Sequence, residues 1–327
     1  MVGPGRQRRP DRSRGAHQPR GRPAGVRAVS PRPSRWWLVL PLIAALSLLL
    51  DRVRPPPAHR AEWLDAGGVT VRVIRAGTGD TTLLLLHGFG ESLTTWRAVF
   101  DALAAGHRVV ALDLPGLGSS AKPDVSYSLP AMTERLSRFV DRWTSGPLVV
   151  VGHSMGGELA ASLALARPDR VKLLVLIAPA GYRIGLAGIL HPMSPAKART
   201  LGRYLALRSF VTPIHDPGWL GEPDSAADYD PTGDGRYARA AARMLEEFDF
   251  TGLRERFREI GQPTLLIWGG NDPVIPFAVG DTLSRLIPCV RFFPLPGAFH
   301  RPQAEQPDTV LVALGAFLAH PGCSTGL

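Results

Sequence analysis

The chain has 327 residues and a formal charge of +10 at pH 7. That length suits one large domain with an insertion as well as two domains, and either buries a sizeable core. The charge is not spread evenly: residues 1–35 hold ten arginines against one acid, Asp11, while residues 61–327 come to −1, so no basic groove and no nucleic-acid partner is expected.

Residues 1–35 are rich in Arg, Pro, Gly and Ser without an apolar period. They bury too little surface to offset the entropy of ordering and read as disordered. An uncharged apolar run follows from Trp36 to Leu50, closed by Asp51 and Arg52. As a helix it reaches about 22 Å, short of a hydrocarbon core of about 30 Å. The flanks therefore decide. No small-x-small cleavage site follows, and the next stretch is Arg54-Pro55-Pro56-Pro57. The expectation is a signal anchor at 36–50, with the arginine side cytoplasmic and the body membrane-anchored on the far side. The alternatives are a cleaved signal peptide, which makes the body secreted, and a buried piece behind a misplaced start. Residues 51–61 are a linker stiffened by three prolines.

From Glu62 onward short apolar runs alternate with helical periods, the pattern of a mostly parallel sheet covered on both faces. Strands are expected at Glu62–Asp65, Val69–Ile74, Thr82–Leu86, Arg108–Leu112, Leu148–Val151, Val171–Ile177, Thr264–Trp268 and Val290–Phe293. Helices are expected at Trp96–Ala105, Pro130–Trp143, Met155–Ala166, Phe277–Leu286 and Thr309–Leu318. The fold class is thus α/β, an eight-stranded doubly wound sheet formed by residues 62–180 and 262–320. Alternation fails over 181–261, which is too long for a bare loop and reads as an inserted helical cap. Its first half is strongly apolar, from Ile184 to Trp219. Cys289 and Cys323 have neither metal-site spacing nor a disulfide framework and read as two unrelated small residues, a single bridge being the alternative in an exported domain.

The strongest chemical signal is Gly152-His153-Ser154-Met155-Gly156 between a buried strand and a helix. Such a turn is so sharp that Gly152 and Gly156 must permit close backbone approach, holding Ser154 at the strand end. A serine hydroxyl is a poor nucleophile without a base, and the base needs an orienting partner. His300, in the loop after the last strand, is the candidate base. Asp272, just past the strand ending at Trp268, is the candidate acid, although an aspartate before proline is also an ordinary turn residue. An oxyanion hole needs two backbone N–H donors. Met155 and Phe89 are the candidates, the latter from the loop His87-Gly88-Phe89-Gly90. His87 reads as a structural loop residue, and Asp113 as the organiser of the Gly-rich turn Leu114-Pro115-Gly116-Leu117-Gly118-Ser119-Ser120.

Together these motifs resemble the α/β-hydrolase superfamily over roughly residues 62 to 320, including the chain order Ser154, Asp272, His300. The resemblance implies a Ser-His-Asp acyl-enzyme mechanism with no metal and no organic cofactor, and the apolar surface of the cap segment adds the expectation of an uncharged, mostly apolar ester substrate. Carbon–carbon bond hydrolases look similar but favour Asn before the serine and Trp after the histidine, where this chain has His153 and Arg301. Cofactor-free perhydrolases share the triad. A receptor-like homologue with little turnover is the non-enzyme alternative.

Overall fold

The computed structural model describes residues 59–182 and 235–323. Eight strands form one sheet: β1 (Glu62–Ala66), β2 (Val69–Ala76), β3 (Thr82–Leu86), β4 (Arg108–Leu112), β5 (Leu148–His153), β6 (Val171–Ile177), β7 (Thr264–Gly269) and β8 (Val290–Leu295). Their order is β1-β2-β4-β3-β5-β6-β7-β8. β1 pairs antiparallel with β2, and β2 with β4; every later pairing is parallel. The eight expected strands are all present, with ends moved by a few residues.

The helices are α1 (Arg97–Ala104), α2 (Leu129–Trp143), α3 (Met155–Ala166), α4 (Arg236–Glu247), α5 (Phe277–Leu286) and α6 (Pro307–Ala319), with 3₁₀ turns at Leu93–Trp96 and Arg254–Glu259 and one helical turn at Pro302–Glu305. Strand side chains alternate between two cores, as a period of two requires. Leu84, Leu86, Val150, Leu266 and Trp268 face α2, α3, α4 and α5, whereas Leu83, Leu85, Val149, Val151 and Leu265 face α1 and α6. Burial on both faces is why β3 reads Thr-Leu-Leu-Leu-Leu without polar alternation. On α2 the stripe Met132, Leu136, Phe139 and Val140 is fully buried, which is the helical spacing of one apolar face.

Of the expected cap, residues 183–234 lie outside the described residues, as do residues 1–35, which were expected to be disordered, the apolar run 36–50 and most of the linker. Residues 235–261, the described end of the segment expected to be a cap, contribute to the core of the body. Tyr237, Met244 and Leu245 of α4, with Phe248, Phe257 and Ile260 after it, are buried in the same core as α2 and α3. Among the described residues no helix is long and apolar enough to cross a membrane. The two cysteines are corrected: Cys289 and Cys323 are disulfide-bonded, with Cα atoms 4.6 Å apart. The bridge joins the residue before β8 to the tail after α6, a proximity set by tertiary packing across 34 positions of sequence.

Candidate active site

Parallel strands deliver their carboxyl ends to one sheet edge, so the loops after β3, β5, β7 and β8 meet there. Between β5 and α3 the chain turns on one residue, Ser154, with φ +52° and ψ −118°. A non-glycine residue at positive φ costs about 1–3 kcal/mol and persists only where its surroundings impose it. Here the Ser154 N–H donates to the Ile177 carbonyl at 3.0 Å, and its own carbonyl accepts from Gly157 and Ala180, each at 2.9 Å. Both glycines are forced by contact: a Cβ on Gly152 would lie 2.2 Å from the Gly156 carbonyl oxygen, and one on Gly156 2.3 Å from that of Leu86.

The loops after β7 and β8 also touch through backbone. A Cβ on Gly269 would lie 1.9 Å from the Phe299 carbonyl oxygen. The Asn271 N–H donates to the Ala298 carbonyl at 2.9 Å. This contact sets Asp272 beside His300, whose Nδ1 is 2.8 Å from Asp272 Oδ2. The other carboxylate oxygen, Oδ1, accepts from the amides of Val274 at 2.8 Å and Ile275 at 2.9 Å. Because a carboxylate only accepts, the His300 proton sits on Nδ1. That leaves Nε2 facing the Ser154 hydroxyl, 3.1 Å away. A relay from a fully buried carboxylate through an imidazole to a serine oxygen can withdraw the serine proton.

The two expected oxyanion donors flank the serine. Met155 opens α3, and Phe89 follows Gly88, where a Cβ would lie 3.2 Å from Ser154 Cβ. Among the described residues neither amide donates to a protein acceptor. The Phe89 ring packs edge-on against Phe250 at 5.9 Å, and Phe250 lies 4.9 Å from Phe248.

His87 and Asp113 stand outside this relay. The Leu114 amide donates to His87 Nε2 at 2.9 Å, so the ring proton is on Nδ1, toward the Gly88 carbonyl at 2.8 Å. Burial lowers the pKa of this imidazole and keeps it neutral. Asp113 does organise its turn, accepting from Ser119 at 2.7 Å, and it also accepts from the Leu93 amide at 2.7 Å. Its main partner was not foreseen: the fully buried Arg72, whose Nε lies 2.7 Å from Asp113 Oδ2.

Glu91 and His153 were likewise missed. Glu91 Oε2 accepts from the Gly88 amide at 3.0 Å and from His153 Nδ1 at 3.0 Å. His153 Nε2 lies 2.8 Å from the His300 carbonyl oxygen. Burial alone would raise the Glu91 pKa, but the charge and hydrogen bond of His153 and the Gly88 amide outweigh it and hold it at about 2. Burial would lower His153, yet the Glu91 charge and hydrogen bond, with the His300 carbonyl, raise it. The available signal was the polar pair flanking both motifs, Glu91 three residues after Gly88 and His153 directly before Ser154.

Residues 83–314 match the model of the alpha/beta hydrolase family. The chain belongs to this family. A dihydrolipoyllysine-residue acetyltransferase component of an acetoin cleaving system from Cupriavidus necator is 34% identical to this alpha/beta hydrolase over 229 residues, covering 66% of this chain. The matched region spans only 59% of that relative's length. A pimeloyl-[acyl-carrier protein] methyl ester esterase from Edwardsiella ictaluri is 30% identical over 264 residues, covering 74% of this chain and 94% of the esterase. Among solved structures, a serine hydrolase involved in carbazole degradation superposes with a TM-score of 0.60 at 26% identity, covering 80% of this chain and 99% of the other.

Proposed function

We propose that this alpha/beta hydrolase cleaves uncharged, mostly apolar carboxylic esters through an acyl-enzyme on Ser154. The observation that carries the reading is the continuous relay from Asp272 through His300 to Ser154 Oγ, set on a turn beside two amides, of Phe89 and Met155, that have no protein acceptor among the described residues. His300 Nε2 takes the hydroxyl proton as Ser154 Oγ bonds to the acyl carbon. The carbonyl oxygen gains charge and is held by the amides of Phe89 and Met155. The C–O bond to the leaving alcohol then breaks, and the imidazolium returns the proton to that alcohol. A water molecule repeats the sequence, releasing the acid and freeing Ser154. No step needs a metal or cofactor.

Phe89, partly buried on the oxyanion loop and packed edge-on against Phe250, supports an apolar acyl partner. His153 and Arg301, in place of the Asn and Trp favoured by carbon–carbon hydrolases, support ester over carbon–carbon cleavage. The test is fluorophosphonate labelling of Ser154 followed by a series of p-nitrophenyl esters of rising chain length. Each added methylene is expected to raise kcat/KM by up to about tenfold until the pocket is full. Equal rates along the series, or a strict need for a substrate carboxylate, would overturn the ester reading in favour of carbon–carbon cleavage. Absence of labelling would leave the receptor reading.

The body is also proposed to work outside the cytoplasm, held by the apolar run 36–50 or released from it. The Cys289–Cys323 bridge supports this, because such bridges persist in oxidising compartments.

A further inference from the structure

We propose that Glu91 and the buried His153 form a carboxylate–imidazolium pair that positions the oxyanion loop and the catalytic base relative to Ser154. The proposal rests on the acyl-transfer reading of Ser154, and it assigns function to two residues outside the triad.

The protonation state follows from hydrogen-bond chemistry. One ring nitrogen of His153 faces a carboxylate oxygen and the other a backbone carbonyl oxygen. Both partners only accept, whereas a neutral imidazole has a single N–H. Satisfying both contacts in a side chain that is 1% exposed therefore requires the doubly protonated ring. The surrounding charges agree. Glu91 faces it from the loop after β3 and Asp272 acts on it from the loop after β7, both favouring the cation. Neutral His87 at the end of β3 and the His300 ring, 4.9 Å away, complete the groups around it.

The consequence is mechanical. One oxygen, Glu91 Oε2, binds both the Gly88 amide and the His153 ring. The same ring holds the His300 backbone. Two loops and the end of β5 are thereby tied at one point: the oxyanion loop, the loop bearing the base, and His153 directly before Ser154. The pair is also close to neutral in sum, so it fixes geometry without opposing the positive charge that His300 gains when it takes the serine proton. A glutamine cannot replace Glu91. Its single oxygen can keep the Gly88 amide, but without the carboxylate charge His153 loses its second proton and one of its two hydrogen bonds.

The test uses the full-length protein and two readouts independent of any ester. Ring ¹⁵N NMR of labelled histidine, with His153 assigned through H153N, is expected to show two protonated ring nitrogens on His153 at pH 7 in the wild type and one in E91Q. Fluorophosphonate labelling of Ser154 in E91Q is expected to slow about 10- to 100-fold at saturating probe, with half-saturation changed less than about twofold, the signature of misplaced groups rather than lost binding. A singly protonated His153 in the wild type would overturn the proposal even if E91Q fails to fold. So would labelling of folded E91Q at the wild-type rate. Ester inactivity with normal labelling would count against the substrate assignment alone.

Discussion

Asp272 shows how much of a side chain's role lies in its neighbours. Its Oδ1 is occupied by the amides of Val274 and Ile275, so only Oδ2 is left to orient His300. Asp272→Asn keeps the shape but can present an NH₂ where His300 needs an acceptor, which favours the wrong imidazole tautomer. Turnover is expected to fall by about 10⁴-fold with an unchanged unfolding midpoint, as in other triads. Near-full activity of this variant would remove Asp272 from the relay. At this scale the sequence exposed Ser154, His300 and Asp272 because each follows a strand and sits in a turn-forming context. It did not expose Arg72, which stands in Val-Thr-Val-Arg-Val and reads as a solvent-facing strand position. Nor did it expose the Glu91–His153 pair, because neither residue has a local pattern demanding the other; 62 positions separate them.

Elements were legible wherever a period was strong. β3, β5 and β7 are short apolar runs bounded by turn residues, and all three contribute side chains to both cores. The 3₁₀ turn at Leu93–Trp96 and helix α4 were not resolved by pattern, the first for its brevity and the second because its segment lacks strands to set it in register. α3 carries a further consequence. Glu158, one turn after the nucleophile, is fully buried; its Oε1 accepts from the Gly252 amide at 3.1 Å, and its Oε2 has no partner among the described residues. Burial first, and the Asp249 charge second, raise its pKa well above 4.5. The folded state therefore holds this proton when the unfolded chain has lost it. Stability from Glu158 is intact below about pH 4.5 and declines as pH rises from there toward the folded-state value, by at most about 1.4 kcal/mol per pH unit. Glu158→Gln has no proton to lose, so its stability relative to wild type should improve as pH rises from 5 to 8 in chemical denaturation. A constant difference over that range would mean that Glu158 is already ionised in the fold. Closing a loop between positions 34 apart stabilises by about 3–4 kcal/mol in the chain-entropy view. Replacing both cysteines by serine should lower Tm by roughly 5–10 °C, read by calorimetry with and without reductant. An unchanged Tm would show that the bridge contributes nothing to the fold's stability.

For the whole molecule the charge distribution and the cysteines make one joint prediction. Ten arginines against one acid precede an uncharged run of fifteen residues, Trp36 to Leu50, while the body is close to neutral. Positively charged flanks stay on the cytoplasmic side, so a chain inserted by this run delivers everything after Asp51 to the other face. That is also where a Cys289–Cys323 bridge would form and persist. The two features are independent, since one lies in sequence far from the hydrolase body and the other within it. The chain has only two cysteines and both are in the bridge, so the assay has no background thiol. Cells producing the full-length protein, quenched with acid and treated with a maleimide under denaturing conditions, should yield unmodified chain unless reductant is added first. The same chain should sediment with membranes, or appear in the medium lacking its first fifty or so residues if the run is cleaved. Full-length protein in the soluble cytosolic fraction with both thiols open to maleimide would sink the extracytoplasmic assignment, while leaving the Ser154 relay and its chemistry untouched.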